Sequence, residues 1–155
     1  MRFLSKKEIK ILKSKLTKFD EEFLKEIGKE ILIKELDNLK IYISKKHEVP
    51  ILFEKDNKIF PTLNIILKLG YCPIPWVKVD EGAEKKIIEG ANVFRPGIID
   101  FSDFEINDPI CVLNIKDFPI AIGYSVVSSK DLENMSKGIV VKVVHTLNDK
   151  IYLLK

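Results

Sequence analysis

The chain has no glutamine, one tryptophan, two cysteines and two histidines among its 155 residues. Cys72 and Cys111 stand alone without a Cys-x-x-Cys pair, and His47 and His145 have no partner at ligand spacing. A zinc centre takes four protein donors, or three and a water, so these four residues predict no metal site. They read instead as two buried thiols, an exposed His47 beside the polar "KKHE", and a surface or capping group at His145. Signatures of catalysis are missing too: there is no Gly-x-Ser-x-Gly, no His-Glu-x-x-His and no phosphate loop ending in Lys-Ser/Thr. The expectation is a protein that is not an enzyme, with no catalytic residues, no metal and no cofactor. Long apolar runs are absent as well. "IVVKVVHTL" falls far short of the ~20 residues of a membrane span, and "MRFLSKKEIK" lacks an apolar run with a cleavage site, which predicts a cytoplasmic protein.

What is present is a globular composition, 46% hydrophobic and 32% charged, with a modest net charge of +3. The richness in Ile, Lys and Glu fits a heat-adapted organism, although AT-rich codon usage produces the same bias. Charge is unevenly spread. Through Cys72 there are 16 Lys+Arg against 11 Asp+Glu, an excess of five; from Pro73 onward there are 10 against 12. The excess is densest from Arg2 to Lys18, where seven basic residues face only Glu8. Such a segment is either a phosphate-attracting face or a solvated helix surface.

Ser5 with Glu8 three residues later forms a capping-box signature ahead of Ile9, Leu12 and Leu16. Thr17 or Asp20 can cap a second helix burying Phe19, Phe23 and Ile27. "KIYIS" and "VPILF" read as strands, and Pro61 suits the first position of a helix that Gly70 can close. Residues 1–72 therefore form a small α+β unit, and the two prolines of "YCPIP" mark the boundary. Residues 73–155 have a different character: the strand "WVKV", a helix from Glu81 to Glu89 with Ala83 and Ile87 inward, then the strand-like runs "ANVF", "ICVLNI", "IAIGYSVV", "IVVKVVHTL" and "IYLL". A brief helix has Ser128 and Asp131 as cap pair and Gly138 as stop. Many short strands between turns predict a small, partly closed barrel.

The stretch "EGANVFRPGI", residues 89–98, gathers Gly90, Pro96 and Gly97 around Asn92 and Arg95, just after Lys85 and Lys86. Gly90 can take positive φ and expose backbone N–H groups, and Asn92 can read a base edge or fix the turn. The plainer reading is a helix stop followed by a tight strand entry.

"VDEGAEKKIIEGANVFRPGI", followed by "FEINDPICVLN", "FPIAIGYSVVSSKDLEN", "KGIVV" and "HTLND", resembles a PUA domain, the module named after pseudouridine synthases and archaeosine transglycosylases. The resemblance implies a β pseudo-barrel with two short helices that binds RNA. It places the RNA surface on Gly82, Ala83, Lys86, Gly90, Ala91 and Asn92, with Lys85 and Arg95 beside them. "IFPTLNIILK" ahead of the proline linker is similar to the family of the malignant T-cell amplified sequence protein and the N-terminal part of ligatin, with archaeal stand-alone relatives of the same layout. The implied role is RNA binding in translation, on tRNA, rRNA or the small ribosomal subunit in initiation or recycling, with a translation-factor protein as a further partner. An accessory subunit of a tRNA- or rRNA-modifying enzyme, or a protein-interaction adaptor, are the alternatives.

Overall fold

The Ser5–Glu8 spacing is realised as a reciprocal cap in the computed structural model, which describes residues 1–154. Ser5 Oγ accepts from the Glu8 N–H, the Glu8 carboxylate accepts from the Ser5 N–H, and Arg2 closes on the same carboxylate in a two-pronged ion pair. The helix it starts, α1 (Lys6–Ser14), is followed by α2 (Glu21–Glu26), entered at Asp20 rather than Thr17. Both helices cover a five-stranded antiparallel sheet in the order β1 (Arg2–Phe3), β2 (Ile31–Leu36), β3 (Leu39–Ser44), β4 (Val49–Lys55), β5 (Lys58–Pro61). The sequence pattern did not predict β1, β2 or β5. Pro61 accordingly ends a strand, and α3 (Leu63–Leu69) starts one residue later from Thr62, whose Oγ1 accepts from the Ile65 N–H.

The second sheet has six strands in the order β7 (Val93–Phe94), β11 (Ile139–Thr146), β10 (Pro119–Ser125), β9 (Pro109–Leu113), β6 (Trp76–Val79), β8 (Ile98–Phe101). Only the β6–β9 pairing is parallel, and register shifts in four of the others bend the sheet into the expected pseudo-barrel. Two short helices accompany it, α4 (Glu81–Ile88) and α5 (Ser129–Leu132). The overall class is α+β. "IYLL" is not a strand: residues 150–153 form turns, and the segment is fixed by Asp149, which accepts from the Tyr152 and Thr146 N–H groups.

The two sheets share core. Cys111, Leu113 and Ile122 from the second pack in one cluster with Phe53 and Phe60 from the first and with Leu63 and Ile66 of α3. His145 is the polar pivot of this junction. It lies on β11, only 1% exposed, with its ring edge against Phe53 at 5.2 Å. Its Nε2 accepts from the Leu63 N–H at 2.9 Å, and Nδ1 donates to Asp149 at 2.7 Å. The expected capping group is thus real, but it caps a helix 82 residues away. His47, expected to be exposed, is 7% exposed, because the turn carrying it folds back so that Nε2 donates to the Glu26 carbonyl. Cys72 and Cys111, expected as separate thiols, are joined in a disulfide with Cα atoms 6.6 Å apart, tying the segment before β6 to β9. No helix is long and apolar enough to cross a membrane among the described residues.

Candidate nucleic-acid interface

The site is organised by α4 and the turn that ends it. Asp80 caps the helix: its Oδ1 accepts from the Ala83 N–H at 2.8 Å, and its own N–H is bound by the Gly97 carbonyl. Ile87 is buried as the inward anchor, while Lys85 and Lys86 are exposed. Acidic Glu81 and Glu84 in the first turn and the lysines in the last match the helix dipole.

Gly90 answers what the glycines in "EGANVFRPGI" are for. It stands at φ +105°, its N–H bonds to the Ile87 carbonyl, and the Ala91 N–H reaches back to the Lys86 carbonyl. Those two bonds form the paired closure of a glycine-terminated helix. They also occupy both N–H groups that a phosphate cradle at this turn would use. Gly97 has a different duty. A Cβ there would lie 2.8 Å from the Ala83 Cβ, so only glycine lets the chain pass this close to α4.

Between the helix and this segment runs a groove of about 380 Å³. Its lining includes four small residues, Gly82, Ala83, Ala91 and Gly97, together with Asp80, Lys86, Ile87, Asn92, Phe94 and Pro96. At the glycine and alanine positions a ligand can approach the backbone closely.

The structure brings Gly82, Ala83, Lys86, Ala91 and Asn92 into this groove. It does not bring the rest of the expected set there. Lys85 lines a second groove on the other side of α4, with Ile88, Ile115 and Lys116. Gly90 shapes the turn without lining the groove. Arg95 turns toward α5: its Nε donates to the Leu132 and Met135 carbonyls at 3.0 and 3.1 Å, and Nη1 donates to Ile98 O. Arg95, not Gly138, therefore finishes α5, while Gly138 at φ +104° leads into β11. Asn92 is committed on one side, because its Oδ1 accepts from the Val143 N–H of β11 at 3.1 Å. Its amide nitrogen has no partner among the described residues.

Sequence reasoning missed Asp80 and Phe94 as lining residues. Asp80 was legible as a cap, three residues before Ala83. Phe94 was legible only through strand alternation, with Val93 buried in the barrel and Phe94 therefore outside. Among the described residues, no group of three or more His, Cys, Asp and Glu side chains could hold a metal ion.

Comparison with known proteins bears on this geometry directly. Residues 75–147 match the PUA domain family model, a span containing every residue of the groove. The chain is 36% identical to an uncharacterized protein of Methanocaldococcus jannaschii, over 99% of this chain and 95% of that protein. It is 30% identical to translation machinery-associated protein 20 of Eremothecium gossypii, over 91% of this chain and 84% of that one. The crystal structure of a hypothetical protein from Pyrococcus horikoshii superposes with a TM-score of 0.87 at 31% identity, covering 97% and 96% of the two chains.

Proposed function

Because the chain belongs to the PUA domain family shared with translation machinery-associated protein 20, we propose that it is a non-catalytic RNA-binding protein of the translation machinery. The observation that carries this reading is the groove beside α4, lined by four glycine and alanine residues and by one lysine. Lys86 supplies a cation for a phosphate, and the amide nitrogen of Asn92 supplies a donor. Gly82, Ala83 and Ala91 let nucleic acid come close. Gly90 holds the turn, and Arg95 positions it by tying the segment to α5. Lys85 meets the backbone from the far side of the helix.

Residues 1–72 act as the companion unit to the RNA-binding unit of residues 73–155. On the first, Lys6, Lys7, Lys10 and Lys15 are exposed and add a second positive surface. Two such surfaces suit an adaptor that holds structured RNA, tRNA or rRNA, against another component such as the small ribosomal subunit or a translation factor. The work is cytoplasmic.

Titration with tRNA and with small-subunit rRNA fragments across a salt series tests the reading. Log K should fall linearly with log salt, by somewhat less than one unit for each phosphate contacted, as on DNA. Binding insensitive to salt, or no binding to either RNA, overturns it.

A further inference from the structure

Where the two units meet, the segment joining α1 to α2, the turn into β5 and the turn into β9 wall a cleft of about 360 Å³. A concavity of this size at a boundary between units is the usual setting of a small-molecule site. Its lining gathers three lysines that lie apart in the chain: Lys15 and Lys18 from the first segment, Lys58 from the start of β5. Against these three ammonium groups the lining supplies one carboxylate, Asp108. Asp108 is 6% exposed, and its Oδ2 accepts from the Glu105 N–H at 2.8 Å. It faces Lys18, whose Nζ lies 3.7 Å from Asp108 and 3.0 Å from Glu105.

The other two cations are not neutralised. Lys15 and Lys58 form no ion pair among the described residues. Lys58 is held instead over the Tyr124 ring of β10, 4.9 Å from its centroid, which fixes the ammonium beside the cleft without cancelling its charge. Two amides stand ready on opposite walls. Asn57 at φ +64° and Asn107 at φ +71° occupy turn positions, and neither side chain makes a hydrogen bond among the described residues. Like charges gathered in a concavity repel one another, and folding alone gives no reason to collect them there.

We propose that this junction cleft binds a small polyvalent oxyanion, a compound of the sugar-phosphate or polycarboxylate class, held from both units at once. Lys15 and Lys58 pair with its anionic groups, and the Asn57 and Asn107 amides donate to the remaining oxygens. An extended polyanion fits less well. The Glu105 side chain, 77% exposed beside the cleft, repels a phosphate backbone that runs past it, whereas a compact ion stays between Lys15 and Lys58.

The test titrates the whole chain with fructose 1,6-bisphosphate and with citrate, each against sodium chloride at matched ionic strength. Calorimetry should show one site for at least one of them, and the melting temperature should rise with its concentration. A response to the bisphosphate alone assigns the phosphate class, and a response to citrate alone the carboxylate class. Lys15→Met combined with Lys58→Met removes both free charges and keeps the apolar stems, so the fold should persist while affinity falls roughly tenfold or more. Should that pair fail to fold, Lys15→Met alone, at an exposed position, should weaken binding about threefold or more. Lys86→Ala, outside the cleft, should bind the anion as the wild type does. No response to either anion beyond matched chloride overturns the proposal. An undiminished response in the lysine variants does so too, because the anion then sits elsewhere. Loss of tRNA affinity in those variants, with neither small anion bound by the wild type, would assign the cleft to an RNA backbone instead.

Discussion

Helices α3 and α4 are built from the same punctuation and put to opposite uses. Each follows a strand, begins at a side-chain cap (Thr62 or Asp80), and is closed by a glycine at positive φ, Gly70 at +82° and Gly90 at +105°. Helix α3 buries Leu63, Ile65 and Ile66, and its first N–H groups are taken by His145 and Thr62. Helix α4 buries only Ile87 and turns its small residues outward onto a groove. The difference lies in what stands opposite: α3 faces β4 and β10 across the junction of the two sheets, whereas one side of α4 faces solvent. A helix enclosed on both sides becomes a joint. The same helix left open on one side becomes a surface.

Substitutions can separate joint from surface, and the largest effect belongs to the joint. His145→Ala leaves the Leu63 N–H without a partner, removes one of the three donors to the Asp149 carboxylate and opens a hole beside Phe53, which should cost about 3 kcal/mol. Chemical denaturation measures this, and RNA affinity of the folded protein should not move. A loss in RNA binding at unchanged stability would put His145 on the surface side of the comparison.

Gly97→Ala comes next and should touch both properties. The added methyl meets Ala83, so α4 must shift outward at a cost of about 2 kcal/mol, and the groove changes shape with it. A lower melting temperature accompanied by weaker RNA binding is expected, and unchanged RNA binding would detach the groove from function.

Lys86→Ala should act on the surface alone. With one phosphate contact removed, affinity should fall roughly fivefold and the salt slope should flatten by a little under one unit, with no change in melting temperature. Asn92→Ala makes a useful contrast. Its Oδ1 satisfies the Val143 N–H, so this substitution should lower stability by about 1 kcal/mol as well as weakening binding.

The smallest effect sharpens the joint by pH. Burial alone would push the Asp149 carboxyl up, but hydrogen bonds from His145 and from the Tyr152 and Thr146 N–H groups hold it below the ordinary aspartate value. A carboxylate with a depressed folded-state pKa stabilises fully above the unfolded value of about 3.9, and that stabilisation fades as pH falls through the folded value. The stability gap between wild type and Asp149→Asn should therefore be flat near neutrality and close on the acid side. A gap that widened below pH 4 would contradict the assignment.

Local chemistry was readable in the residues wherever partners lie a few positions apart. The Ser5–Glu8 box, the Ser128–Asp131 cap, Gly70 and Gly90 all act where the spacing placed them, since a cap needs only its own first or last turn. The pseudo-barrel followed from strand-like runs between turns and from the resemblance those runs carry. Strand β2, "ILIKEL", escaped because its half-buried pattern does not alternate cleanly, and β5 escaped because Pro61 suits a helix start as well as a strand end. The resemblance sets Arg95 beside the RNA surface, and a guanidinium next to a glycine turn gives no hint that its Nε reaches carbonyls 37 and 40 residues away.

The sequence by itself determined the caps at Ser5 and Ser128, the turn at Gly90, the change of character after residue 72 and the residue types of the groove. Each of these depends on backbone preference or on neighbours within one turn. Only the tertiary structure decided that His145 caps α3, that Cys72 meets Cys111, that Lys85 and Lys86 line different grooves, and that Phe94 rather than Arg95 lines the groove beside α4. Those outcomes depend on which faces pack together. Hydrophobic burial fixes that choice for the chain as a whole, with contributions that no local window contains.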